Sequence, residues 1–220
     1  MNAIIPVWKP VNITSYDIIR KIKSIDNSHK VGHCGTLDPF AEGIVVICLG
    51  DSTKNSLTYM NKLKTYIATI AFGEETDTLD HTGRVIKTSN KKVEINKRLF
   101  QTIIKNHTGD IYQTPPSYSA KKINSIKLYD LARKDIFVKL KPSKIRINKI
   151  TLLELLDNKA TIKITCSKGT YIRALARDIS YDLGTYGYLQ SLARVSIGEF
   201  NKTNSVKYED LENVYSSIRW

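Results

Sequence analysis

Three cysteines in 220 residues, Cys34, Cys48 and Cys166, are too few and too scattered for a disulfide framework or a zinc site. That usage fits a reducing compartment, and a cytoplasmic protein is expected. Long apolar runs are missing too. The longest, Ile44-Val45-Val46-Ile47-Cys48-Leu49, falls far short of the roughly 20 residues a membrane span requires. Met1 to Pro10 lacks the basic region, apolar stretch and cleavage site of a secretory signal. Low-complexity tracts, repeat periods and Gly/Ser linkers do not occur, which argues against a solenoid or a string of tethered modules.

Acid is also in short supply: 21 Asp+Glu stand against 34 Lys+Arg, for a net charge of +13. A surplus of that size favours a polyanionic partner, because each Lys or Arg placed on a phosphate releases condensed counterions. A purely compositional origin competes with this, since 25 of the basic residues are Lys and only nine are Arg. A hydrophobic fraction of 41% with 25% charged residues is ordinary for a globular chain able to bury a core.

The apolar segment Ile4 to Trp8 predicts a strand, broken by Lys9-Pro10. Thr14-Ser15 can cap a helix whose stripe is Ile18, Ile19, Ile22 and Ile25. A glycine-punctuated loop, 32–43, precedes a buried-strand candidate at Ile44–Leu49. Lys64 to Phe72 alternates in strand fashion and stops at Gly73. An acidic turn region (74–83) and a short strand at Val85-Ile86 follow. Leu99, Ile103 and Ile104 mark a helix, and Gln113-Thr114-Pro115-Pro116 an extended stretch. Strands are predicted at Ile136–Leu140, Ile145–Leu156 and Ala160–Cys166, a helix over Thr170–Leu183 capped by Gly184, and a last helix from Val206 to Trp220. Without a regular βαβ rhythm, the expected fold is α+β: a single mixed domain spanning 1–220, built around a largely antiparallel sheet with flanking helices.

The densest chemical signal is Gly32 to Gly43. Three glycines in twelve residues permit tight turns and close ligand approach, and Pro39 stiffens the backbone at Asp38. From the residues alone, Asp38-Pro39 reads first as a turn whose carboxylate bonds the local backbone, ahead of a reacting group. Two metal readings are weaker. Glu74, Glu75, Asp77 and Asp80 could gather Mg²⁺ or form a solvated turn, and Gly32 between His29 and His33 spoils a metal-binding helical turn.

Gly32-His33-Cys34-Gly35-Thr36-Leu37-Asp38-Pro39, followed by Ala41 and Gly43, resembles the signature loop of the TruB family, the tRNA pseudouridine-55 synthases. Further blocks resemble the family in the same order: Lys9-Pro10 with Thr14-Ser15, Gly50 with Thr53-Lys54, Lys64-Thr65-Tyr66, Thr76-Asp77-Thr78-Leu79-Asp80, Gln113 to Ala120, and Cys166 to Arg173. The resemblance implies three catalytic residues. Asp38 is the carboxylate acting at C1′ or C2′ of the target uridine. Tyr66 stacks on the base and helps remove the C5 proton. Arg173 pairs with the catalytic carboxylate. It implies RNA- or base-binding roles for Lys9, which supports the loop, for His33, which fills the space left by the flipped nucleotide, and for Tyr171, Leu192 and Arg194. The implied partner is the T-arm stem–loop of tRNA. No cofactor, metal, membrane or obligate protein partner is implied, and a monomer is expected.

The chemistry agrees with those assignments. Pseudouridine formation breaks N1–C1′, turns the uracil and rejoins it through C5, an isomerisation without water or cofactor. Its carboxylate must be ionised, and a guanidinium suits that task because its planar fork holds both oxygens and does not deprotonate. Extruding the uridine costs a few kcal/mol, against which aromatic stacking returns about 1–3 kcal/mol per base. Tyr66 and Tyr171 read from the residues alone as ordinary packing tyrosines among 12.

The sequence departs from the family pattern at several positions. Asn12 stands for a usual Gly, Ser125 for another, Arg194 is single where two Arg are common, and Tyr188 replaces a frequent His. No C-terminal RNA-binding domain of the PUA type is expected. Two other functions compete: a tRNA-binding or folding protein on the same scaffold with little catalysis, and a metal-dependent nuclease using the acidic turn.

Overall fold

The computed structural model describes residues 2–90, 94–119, 122–123, 126–134, 136 and 138–218. The motif residue Ala120, the departure at Ser125 and Phe137 in the expected strand Ile136–Leu140 lie outside them. The chain gathers into two compact units, Met1–Ile67 with Leu192–Trp220, and Ala68–Ser191. Two strands, Lys64–Phe72 and Gly187–Ile197, run in sequence from one unit into the other.

In the first unit, strand Glu42–Leu49 is buried along nearly its whole length, which explains its unbroken apolar composition. Ala3–Lys9 lies antiparallel beside it, setting Lys9 opposite Gly43. On its other flank Ala193 and Arg194 run parallel to Glu42 and Gly43. Gly43 therefore sits laterally between Lys9 and Arg194. The short strand Val31–His33 pairs with the far end of Glu42–Leu49.

Helix Ser15–Ile25 starts where the sequence predicts. Thr14 and Asp17 form a reciprocal capping box, and Ser15, Ile18, Ile19 and Ile22 face inward. The tail differs from expectation. Val206–Lys207 forms a strand parallel to Ala3–Lys9, and the helix begins only at Leu211. That helix docks through the fully buried Tyr215, whose hydroxyl donates to Asp26 Oδ2 at 3.2 Å.

In the second unit the strand order is Lys64–Phe72, Lys159–Cys166, Ser143–Leu156, Gly109–Gln113. The last two pairings are antiparallel, with Ile147 opposite Cys166 and Ile145 opposite Ile111. Helix Lys97–Asn106 buries Phe100, Ile103 and Ile104. Leu99, expected inside, is 39% exposed. The inward stripe runs through its neighbour Phe100, and Leu99 instead gives its amide to the N-cap Asn96 at 2.9 Å. The described part of Ile136–Leu140 is not a strand. Helix Ile172–Asp182 starts two residues later than expected, and Gly184 follows it at φ 75°. The observed class is α+β, with mostly antiparallel sheet pairing and flanking helices.

Candidate active site

Residues 34–41 leave strand Val31–His33 and re-enter the sheet at Glu42. The Cys34 amide bonds Val46 O at 2.8 Å, and the Ala41 amide bonds Asp38 O at 3.1 Å, closing a turn around Asp38. Leu37 is clasped at both backbone groups by the buried Ser15: its amide donates to Ser15 Oγ at 2.9 Å, and that hydroxyl lies 3.3 Å from Leu37 O. The first residue of a helix thus holds the neighbour of the half-buried Asp38. Asn12, at φ 66°, donates its amide to Pro39 O at 2.8 Å. Its position calls for glycine-like backbone freedom, and Asn is among the few other residues that tolerate it.

Two buried cations hold the rest of the loop. The Lys9 ammonium donates to Ala41 O (2.6 Å), Pro10 O (2.7 Å), Ile13 O (2.8 Å) and Pro39 O (3.3 Å). Burial, with the charge of Arg194 adding, pulls the Lys9 pKa down to about 8, while Asp38, Asp17 and Glu42 oppose the shift. Arg194, 2% exposed, donates Nε to Ile44 O at 2.7 Å, Nη1 to Thr36 O at 3.1 Å and Nη2 to Gly35 O at 3.1 Å. A Cβ on Gly43 would lie 2.2 Å from Arg194 O, so only glycine allows the strands to approach this closely.

His33 is half-buried. Burial first, and Arg194 second, pull its pKa below the ordinary imidazole range, against a bond at the Gly35 backbone, and so favour the neutral ring. Cys34 and Cys48 lie with their sulfurs 3.1 Å apart, and burial pushes the Cys34 thiol up to about 12, which removes it from consideration as a nucleophile. Tyr66 and Leu192 are both buried, on strands Lys64–Phe72 and Gly187–Ile197. The first unit thus brings Lys9, His33, Asp38 and Arg194 to one loop.

Arg173 and Tyr171 belong to the second unit. Arg173, buried in the first turn of helix Ile172–Asp182, donates to Thr78 O at 2.7 Å and Tyr118 O at 2.9 Å. It also pairs with Asp80 at 3.6 Å. Asp80 is 4% exposed and accepts from Thr78 Oγ1 (2.9 Å), Thr82 N (3.0 Å) and Thr82 Oγ1 (2.5 Å). The turn reading holds in its local bonding, with Asp80 and Asp77 accepting from the backbone amides of Thr82 and Arg84, but Asp80 is buried rather than solvated. Gln113 holds the Tyr171 backbone with two bonds, accepting from its amide at 2.8 Å and donating to its carbonyl at 3.0 Å. The sequence places Gln113 in an extended stretch and at the head of a motif block, but gives its side chain no task. Among the described residues, no group of three His, Cys, Asp or Glu is placed to hold a metal ion.

Residues 20–172 match the family model described as TruB family pseudouridylate synthase (N terminal domain). The tRNA pseudouridine synthase B of Clostridium tetani is 43% identical over 220 residues, covering 99% of this chain and 76% of that protein. The protein of the same name from Clostridium acetobutylicum is 40% identical over 220 residues, covering 99% and 75%. That of Fusobacterium nucleatum is 44% identical over 201 residues, covering 91% and 69%. Among solved structures, a chain in the crystal structure of a Cbf5-Nop10-Gar1 complex superposes with a TM-score of 0.74 at 24% identity. The match covers 96% of this chain and 54% of that one, so this chain spans about half its length. At that identity the likeness speaks for a shared fold.

Proposed function

The chain belongs to the TruB family of pseudouridylate synthases, and from that premise we propose that it isomerises uridine 55 in the T loop of tRNA to pseudouridine. The observation that carries the reading is the anchoring of the Asp38 loop. Four loop carbonyls, of Gly35, Thr36, Pro39 and Ala41, are satisfied by Lys9 and Arg194, which also bond Pro10, Ile13 and Ile44, and with the Ser15 clasp on Leu37 they hold one carboxylate on an anchored turn. Immobilising a reacting group in this way replaces the entropy cost of orienting it in each turnover.

In this reading the target uridine is flipped out of its loop and Asp38 acts at its sugar. The N1–C1′ bond breaks, the uracil turns, and a C5–C1′ bond forms. The proton lost from C5 is balanced by one gained at N1, so the product is an isomer and no co-reactant is consumed. Tyr66 offers its ring to the base and its hydroxyl to the C5 proton. Arg173 and Tyr171 keep the roles that the family assigns to them. The neutral imidazole of His33 suits a space-filling role better than a phosphate contact. The surplus positive charge serves the phosphates of the tRNA arm. The enzyme works as a cytoplasmic monomer without cofactor, with residues 1–220 as its catalytic domain.

The test is pseudouridine analysis of a T-arm stem–loop after incubation with wild type and with Asp38→Asn. Wild type should convert the uridine corresponding to position 55, while the variant should bind the RNA and leave it unchanged. A wild-type protein that binds the RNA without modifying it would support the binding-protein alternative. A fully active Asp38→Asn would remove Asp38 from the chemistry.

A further inference from the structure

The resemblance assigns Arg194 to RNA or base binding, but its surroundings give it a different task. We propose that Arg194 is a positioning residue for Asp38, a buried guanidinium that ties the loop's entry to the strand at its exit. The proposal rests on the pseudouridine synthase reading of Asp38.

Three observations carry it. First, Nε, Nη1 and Nη2 each donate to a carbonyl, of Ile44, Thr36 and Gly35. Three of its five N–H donors are thus engaged, and with 2% of the residue exposed the fork does not open to solvent, where a phosphate would need two parallel N–H donors. Second, Arg194 engages the loop twice. Its side chain reaches Gly35 and Thr36, the residues just before Leu37 and Asp38, while its backbone sits in register against Gly43, where the loop has rejoined the sheet. The turn bearing Asp38 is thus spanned from both ends by one residue. Third, a Lys could not do the same work. Lys9 already brings a compact ammonium to Pro39 and Ala41 on the far side of Asp38, whereas Arg194 reaches Ile44, Thr36 and Gly35 from three separate nitrogens, which a single ammonium nitrogen does not supply.

The charge has a second consequence. Arg194 contributes to holding His33 neutral and to lowering the Lys9 pKa, so its removal should be visible in the titration of both groups.

Arg194→Met and Arg194→Lys decide the matter, read by three measurements on the full chain. These are the single-turnover rate at saturating T-arm stem–loop, the Kd for the same RNA, and amide hydrogen exchange at Leu37. Arg194→Met should slow the saturated rate by about 100-fold, the cost of a catalytic group misplaced by an ångström, with Kd changed by less than about threefold. Exchange at Leu37 should quicken, and the His33 titration midpoint should rise. Arg194→Lys, which keeps the buried charge, should fall between wild type and Arg194→Met in rate. If Arg194→Met does not fold, Arg194→Lys carries the same test: a slowed saturated rate with unchanged Kd supports the proposal. Weakened RNA binding with an unchanged saturated rate would make Arg194 an RNA contact and overturn it. Unchanged rate, Kd and exchange would overturn it as well. A wild-type protein without synthase activity would overturn the proposed function, while exchange at Leu37 would still decide whether Arg194 holds the loop.

Discussion

Gly35 and Gly43 flank the Asp38 turn with nearly the same backbone, at φ 112° and 121°, but in opposite surroundings. A Cβ on Gly35 meets nothing within 4 Å, whereas on Gly43 it would lie 2.2, 2.7 and 2.8 Å from the O, N and C of Arg194. Replacing either by Ala forces an L residue into a glycine-only region at about 1–3 kcal/mol, offset by about 0.4–1 kcal/mol from the stiffened unfolded chain. Gly35→Ala should therefore lose about 1–2 kcal/mol. Gly43→Ala carries the same strain and must also part the Gly43 and Arg194 backbones, since no flexible side-chain end is there to yield. Parting them loosens three charge-assisted bonds from Arg194, each worth about 1.5–3 kcal/mol. A total loss above about 4 kcal/mol follows, a large share of the roughly 5–15 kcal/mol that a domain possesses. Urea unfolding followed by circular dichroism measures both variants against wild type. Equal losses, within the roughly 0.5 kcal/mol expected of surface changes, would refute the close approach of Gly43 to Arg194.

Three further outcomes are expected. Asp80→Ala removes the ion pair with Arg173 and the acceptor of three local bonds, and should cost about 3–5 kcal/mol in urea unfolding; a loss typical of surface sites would show that Asp80 does not support the Arg173 helix. Lys9 titrates at about 8 in the fold and near 10.5 in the unfolded chain, so between these values the unfolded chain holds the extra proton and this group's contribution to stability rises with pH. The stability difference between wild type and Lys9→Gln should accordingly shift in favour of wild type from pH 7.5 to 10, and a constant difference would contradict the depressed value. Affinity for the T-arm stem–loop should fall steeply from low to physiological salt, with a log–log slope reporting the phosphates neutralised; a flat dependence would make the net charge of +13 a matter of composition.

Local sequence determined much of the architecture. Helix Ser15–Ile25 was legible because its cap, its stripe and its acidic first turn all point the same way. Strand Lys64–Phe72 was legible from strict alternation, and Glu42–Leu49 from an apolar run too short for anything but a buried strand. Strand Gly187–Ile197 is not legible in the sequence because its burial does not alternate cleanly along Gly-Tyr-Leu-Gln-Ser-Leu-Ala-Arg. The strand at Val206–Lys207 is not legible either, because two residues carry no period, and only a parallel partner at Val7 and Trp8 makes them a strand.

The candidate site divides along the same line. The sequence by itself nominated the residues proposed to carry the chemistry, since the glycine-punctuated run around Asp38 is continuous in the chain and its family resemblance lies in residue types and spacing. The tertiary structure alone decided what holds that run in place. Ser15 reads in sequence as the start of a helix; the resemblance gives Lys9 a supporting role without naming the carbonyls it meets, and it gives Arg194 to the RNA rather than to the loop. Their common task arises because Lys9, Gly43 and Arg194 lie side by side on three strands far apart in the chain. Backbone carbonyls are identical at every residue, so no sequence pattern can announce which of them a buried cation will satisfy. Only packing selects them.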